Sequence, residues 1–164
     1  MSSHKLLERI VGLADRQIAR ALCSDPPRAG VGEVSYTREV LYPVLASLVG
    51  TLSDSKLNVG GDGSAYERLV VPLPGVGVLI PDLYLTWEDQ PLVAYEVKLP
   101  KEHLNGTQAF ATGIGQAFLY LKICAQARLA VAGMQMHGLI GEQFQAHLAA
   151  CTNRDLRLLI SPIR

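Results

Sequence analysis

Ile80-Pro81-Asp82-Leu83-Tyr84 and Ala94-Tyr95-Glu96-Val97-Lys98-Leu99-Pro100 are the segments whose reading decides the fold. They read as two apolar strands joined by a polar turn at Trp87-Glu88-Asp89-Gln90. Three charges interrupt the apolar runs: Asp82 on the first strand, Glu96 and Lys98 on the second. A buried charge without a partner costs several kcal/mol, so these need a metal, each other, or exposure at a strand end. Side chains alternate along a strand with period two. Leu92, Ala94, Glu96 and Lys98 are therefore expected on one face, with Val93, Tyr95, Val97 and Leu99 on the other. The first face begins apolar and ends in a carboxylate and an amine, the pattern of a site at the end of a core strand.

Pro81-Asp82, followed after 14 positions by Glu96-Val97-Lys98, resembles the signature of the PD-(D/E)xK nuclease superfamily. Glu-x-Lys alone is a cheap pattern that a solvated strand face also produces. Its flanks, Leu92-Val93-Ala94-Tyr95 and Leu99, and the upstream Pro-Asp set it apart from a solvated pair. The resemblance implies a restriction-endonuclease-like fold and a divalent-metal phosphodiesterase acting on nucleic acid. It also implies a metal-ligand role for the Val97 carbonyl, and a further metal-binding carboxylate on the helix before the sheet, here Glu39. The plain alternative for Glu39 is an acid in a first helical turn, favoured by the helix dipole. Gly115-Gln116-Ala117-Phe118-Leu119-Tyr120 looks like the Gln-x-x-x-Tyr helix of the RecB-like and Cas4-like branch. Gln116 and Tyr120 fall on one helix face, as a site-supporting pair or as the edge of a core stripe. The chain departs from Cas4 in lacking four cluster cysteines, and from RecB in lacking a helicase domain.

Working outward, residues 3–22 carry Leu6, Leu7, Ile10, Leu13, Ala14, Ile18 and Ala21 at helical spacing, and Asp25-Pro26-Pro27 ends that helix. Arg28 to Glu33 reads as a loop. A second helix is expected over Tyr36 to Gly50, with Pro43 forcing a kink or a late start. Lys56 to Val59 and Tyr66 to Val71 read as short strands around Gly60-Gly61-Asp62-Gly63, a hairpin signal. After the central hairpin come a helix over Asn105 to Gln126, a strand over Arg128 to Met134, a helix over Ile140 to Ala150 and a strand over Leu156 to Ile160. This order predicts an α/β fold: a mixed central sheet flanked by helices. Residues 36–134 supply the parts of an αβββαβ core in order, within one domain over 1–164. The first helix and the helix and strand after 135 read as extensions.

Mg²⁺ or Mn²⁺ suits the chemistry, because hard oxygen ligands such as Asp82 and Glu96 hold such ions and phosphodiester hydrolysis needs charge neutralisation. Lys98, on the face of Glu96, would hold the attacking water or steady charge on phosphorus. Lys101 just beyond it would touch a phosphate, or belong to a plain polar loop. The expected function is a metal-dependent nuclease, with DNA ahead of RNA. The alternative is a noncatalytic nuclease-fold module for nucleic-acid binding or assembly.

Composition sets bounds on these readings. Apolar residues make up 49% of the 164 and charged ones 18%, which suits one domain with a real core and argues against disorder. The formal net charge of +0 gives no general attraction for a polyanion, and leaves room for a local basic patch. The 3 cysteines form no Cys-x-x-Cys pair, so a zinc or iron–sulfur site is not expected. A reduced, cytoplasmic setting fits, with no secretory leader and no membrane span. The apolar stretch from Leu69 to Leu85 suggests a homodimer or partner-protein interface.

Overall fold

A computed structural model describes residues 3–62, 64, 69–75, 77–99, 106–132, 146, 150 and 155–160. Helix α1 (Ser3–Ser24) turns Ile10, Val11, Ala14, Ile18, Ala21 and Leu22 inward. It ends where Asp25 precedes Pro26, since a residue before proline disfavours helical backbone. The next helical stretch begins at Glu33, earlier than expected. It runs as α2 (Glu33–Tyr36), a π turn over Thr37–Leu41 and α3 (Tyr42–Leu52). Pro43 is accommodated by that π turn, in which the Tyr42 N–H donates to the Thr37 carbonyl five residues back. The widened turn relieves the crowding a proline ring causes against the carbonyl four residues earlier.

Five strands form the main sheet in the order β1-β4-β5-β6-β7: β1 (Leu57–Gly61), β4 (Leu83–Trp87), β5 (Gln90–Lys98), β6 (Gln126–Val131) and β7 (Asp155–Ile160). β1, β4 and β5 are antiparallel neighbours, and β5, β6 and β7 are parallel. The central hairpin forms as the sequence predicts. Its turn residues Glu88 and Asp89 take φ values of 50° and 61°, a type I′ geometry that matches strand twist. The register of β4 and β5 shifts between Leu85 and Thr86. That bulge tolerates Pro91 and breaks the alternation, so Leu92 packs with Val93 instead of with Ala94.

Among the described residues the expected hairpin around Gly60-Gly61-Asp62-Gly63 is not seen. β1 pairs with β4 instead, and Val71 belongs to a separate two-stranded sheet of β2 (Val71–Leu73) and β3 (Gly77–Leu79). Residues 66–68 of the proposed strand, and most of the proposed helix over 140–150, lie outside the described residues.

Helix α4 (Gly106–Tyr120) connects β5 to β6 and ends earlier than expected, as Leu121, Lys122 and Ile123 close tight turns onto Phe118, Leu119 and Tyr120. Two apolar clusters sandwich the sheet. One joins α1 and α3 to Leu83, Leu85, Val93, Tyr95 and Val97; the other joins Ala117 and Tyr120 of α4, and Leu121 just after it, to Ala94, Leu129 and Val131. The architecture is a mixed α/β fold with helices on both faces. α1 packs in the first cluster and β7 continues the sheet, so the first helix and the last described strand are part of the core architecture.

Candidate active site

The ladder between β4 and β5 ends at Leu83 and Tyr95. Beyond it, β5 runs on through Glu96, Val97 and Lys98 with an open edge on the β4 side. Asp82, the residue before β4, fills that edge: its Oδ2 accepts the Val97 N–H at 2.7 Å. A strand residue points its N–H and C=O to the same side, and successive residues alternate. The Lys98 carbonyl accepts from Ala132 on the β6 side at 3.1 Å, so the Val97 carbonyl faces the Asp82 edge.

The backbone around Asp82 explains the glycines that resemble a hairpin signal. Asp62 N–H donates to the Asp82 carbonyl at 2.8 Å. Gly61 has φ +122°, and a Cβ there would lie 2.2 Å from the same carbonyl oxygen. A Cβ on Gly60 would strike the Tyr84 ring at 2.1 Å. These two glycines let β1 close upon the chain entering β4 and hold Asp82 in place.

Glu96 and Lys98 turn to the α4 face, as the alternation predicts. Glu96 is 1% exposed, and both its oxygens accept hydrogen bonds. Oε1 accepts from Lys98 Nζ at 2.6 Å and Oε2 from the Tyr120 hydroxyl. The Tyr120 oxygen also lies 3.3 Å from the Ile80 carbonyl. Gly113, one helical turn before Gln116, lets α4 approach: a Cβ there would sit 2.8 Å from Lys98 Cγ and 2.6 Å from Leu129 Cδ1. Gln116 lies between Gly113 and Tyr120 on the sheet side of α4, and its buried Oε1 finds no hydrogen-bond partner among the described residues.

Glu39 is exposed in the π turn. The helix carboxylate that reaches the cluster is Glu33. Its Oε2 lies 3.3 Å from Lys98 Nζ, and its Oε1 accepts the Leu99 N–H at 3.3 Å. Reading residues 28–33 as a loop hides it, although an acid after Gly32 at a helix start is a recognisable signal. Lys101 lies outside the described residues.

Burial dominates the electrostatics. It pushes the Asp82 carboxyl up to about 7, helped by the charges of Glu96 and Asp62; the Val97 N–H and Lys98 oppose this. Burial also raises Glu96, against the lowering effect of Lys98 and Tyr120. For Lys98, burial favours the neutral amine, but the hydrogen bond and charge of Glu96, with Glu33 and Asp82, outweigh it and raise the pKa. Tyr120 is raised by burial and by Glu96, so it stays a donor.

Asp82, Glu96, Lys98 and Tyr120 thus converge from three chain segments, Glu33 joins from a fourth, and Gln116 lies one turn before Tyr120 on α4. Among the described residues no group of three or more His, Cys, Asp or Glu side chains is arranged to hold a metal ion. The carboxylate pair Asp82 and Glu96, with the Val97 carbonyl, is the donor set the geometry offers. No helix among the described residues is long and apolar enough to cross a membrane. No family model, no curated protein and no solved structure matches the chain.

Proposed function

We propose that this chain is a divalent-metal-dependent nuclease of the restriction-endonuclease-like fold, hydrolysing phosphodiester bonds, with DNA as the preferred substrate. The observation that carries this reading is the meeting of a buried carboxylate, Glu96, a half-buried one, Asp82, and an amine at the strand edge where the β4 ladder stops. The order of the elements, helices, then an antiparallel β1-β4-β5 meander, then α4 and the parallel β6, supports it.

The donor set fits a hard cation. Burial and the charge of Glu96 drive Asp82 towards its neutral form despite the opposing charge of Lys98, so the pair would gain from a cation. Asp82, Glu96 and the Val97 carbonyl would hold Mg²⁺ or Mn²⁺, hard ions that take oxygen ligands. Bound there, the ion supplies Lewis-acid polarisation of the phosphate and a lower pKa for water. Lys98, held between Glu96 and Glu33, would place its ammonium to position a water or to meet negative charge developing on phosphorus. Tyr120 holds Glu96 in orientation, and the Gln116 carbonyl, without a partner among the described residues, offers an acceptor for water or a substrate donor.

A second reading has an observation in its favour. Glu96 is already fully hydrogen-bonded by Lys98 and Tyr120, an arrangement a noncatalytic binding or assembly module would also keep. Calorimetry with Mn²⁺, beside cleavage assays on single-stranded, duplex and branched DNA and on RNA, separates the two. Asp82→Asn and Glu96→Gln should each abolish cleavage and weaken Mn²⁺ binding at least tenfold. Lys98→Ala should keep the metal and lose most turnover. A chain that binds no Mn²⁺ and cleaves none of these substrates leaves the binding module as the function.

A further inference from the structure

The zero net charge of the chain conceals a segregation of sign. Helix α1 carries Lys5, Arg9, Arg16 and Arg20, all exposed. At 3.6 residues per turn the four fall within about 60° of one another, on the side opposite Ile10, Ala14 and Ile18, and span about 22 Å of helix. The acids of α1 lie elsewhere. Glu8 lies beside His4 at 3.6 Å, and Asp15 is buried against Arg128 at 2.9 Å. Among the described residues no ion pair involves the four cations.

An ordinary solvated helix face mixes signs, with acids and bases four residues apart. Here the spacings 5–9 and 16–20 place like charges at i and i+4, an arrangement that weakens a helix by a few tenths of a kcal/mol per pair. The stripe is linear, of one sign and, among the described residues, not ion-paired. It complements a linear polyanion, and a DNA duplex carries one charge per about 1.7 Å of axis. An anionic membrane is the poorer partner. The apolar side of α1 is already packed into the core, so no hydrophobic face remains to enter lipid.

We propose that the outer face of α1 is a docking surface for the sugar–phosphate backbone of nucleic acid. It lies on the opposite side of the sheet from Glu96 and Tyr120, so it is separate from the proposed catalytic cluster. It anchors a substrate without reading sequence, because charge contacts to phosphate carry no base information. Gly12 lies along the same stripe between Arg9 and Arg16, and a Cβ there would meet only Arg16 Nη1 at 3.6 Å.

The test measures binding in chelator, where metal-dependent cleavage plays no part. Fluorescence anisotropy follows a labelled DNA duplex of about 20 base pairs between roughly 50 and 200 mM salt. Each phosphate contact contributes about −0.9 to the slope of log K against log salt, or roughly 3.5-fold in affinity across that range. The double variant Arg16→Gln/Arg20→Gln should lose about 1.8 from the magnitude of the slope, and Gly12→Lys should add about 0.9. Thermal unfolding of the double variant should match the parent, since both side chains are exposed. An unchanged slope in both variants overturns the proposal. Equal binding of phosphatidylserine vesicles or polyglutamate at the same salt overturns the assignment to nucleic acid. Loss of cleavage in Glu96→Gln with the salt slope intact keeps this surface distinct from the catalytic reading.

Discussion

Asp82 is the residue on which the proposed site balances. Its carboxyl is raised from 3.8 to about 7 by burial first and by Glu96 second. The folded state therefore binds a proton that the unfolded chain has already released. The stability linked to this proton is complete below about pH 4 and is lost as the pH rises through 7, with a ceiling of about 4 kcal/mol. Asp82→Asn removes the buried anion and keeps an oxygen to accept the Val97 N–H. In chelator it should stabilise the protein by about 1–2 kcal/mol at pH 8 and change it little at pH 5. Urea titrations at the two pH values measure this, and equal effects at both would show that the carboxyl is not buried as described. The same replacement should cost metal affinity, so the residue trades stability for binding.

At the scale of elements, α1 and the β5–β6 pair are tied by a buried ion pair that period-counting does not find. Arg128, 1% exposed, donates from Nε to both oxygens of Asp15 at 3.0 and 2.9 Å, and the Tyr95 hydroxyl donates to Oδ1 at 3.1 Å. Arg128→Met should destabilise the fold by about 3–5 kcal/mol, because Asp15 is left buried without its partner. Adding Asp15→Leu should recover most of that loss in chemical denaturation. Failure of the second change to recover stability would mean that the pair is more than mutual compensation. The amphipathic helix, the type I′ hairpin and the alternation that brings Glu96 and Lys98 to one face are all legible in the sequence, because each rests on neighbours in the chain. Asp15 reads as one more charge between apolar positions, and Glu33 as loop. Their partners stand 113 and 65 positions away, at Arg128 and Lys98, where no local pattern reports them. Gly60 and Gly61 mislead for the same reason: the close approach they permit is to Tyr84 and Asp82, not to each other.

For the molecule as a whole, the apolar stretch from Leu69 to Leu85 divides by face. Val71, Leu83 and Leu85 are buried in the two core clusters, while Val70, Val78 and Ile80 remain exposed on the β2–β3 hairpin and its flanks. If these exposed side chains form the proposed homodimer interface, sedimentation at micromolar concentration should give the mass of two chains. Val78→Asp should then return the mass of one, whereas one chain throughout for the parent protein excludes the dimer. The Asp15–Arg128 link also dictates when the chain can finish. The partners are 113 positions apart, and ribosomes add roughly 5–20 residues per second. The first helix is therefore made roughly 6–23 seconds before Arg128 of the strand it clamps has been synthesised. Through that interval α3 and then Tyr95 become available to it, but its lone aspartate still lacks the cation that neutralises it. This is the window in which a nascent chain is open to a chaperone, or to its neighbour on the same messenger.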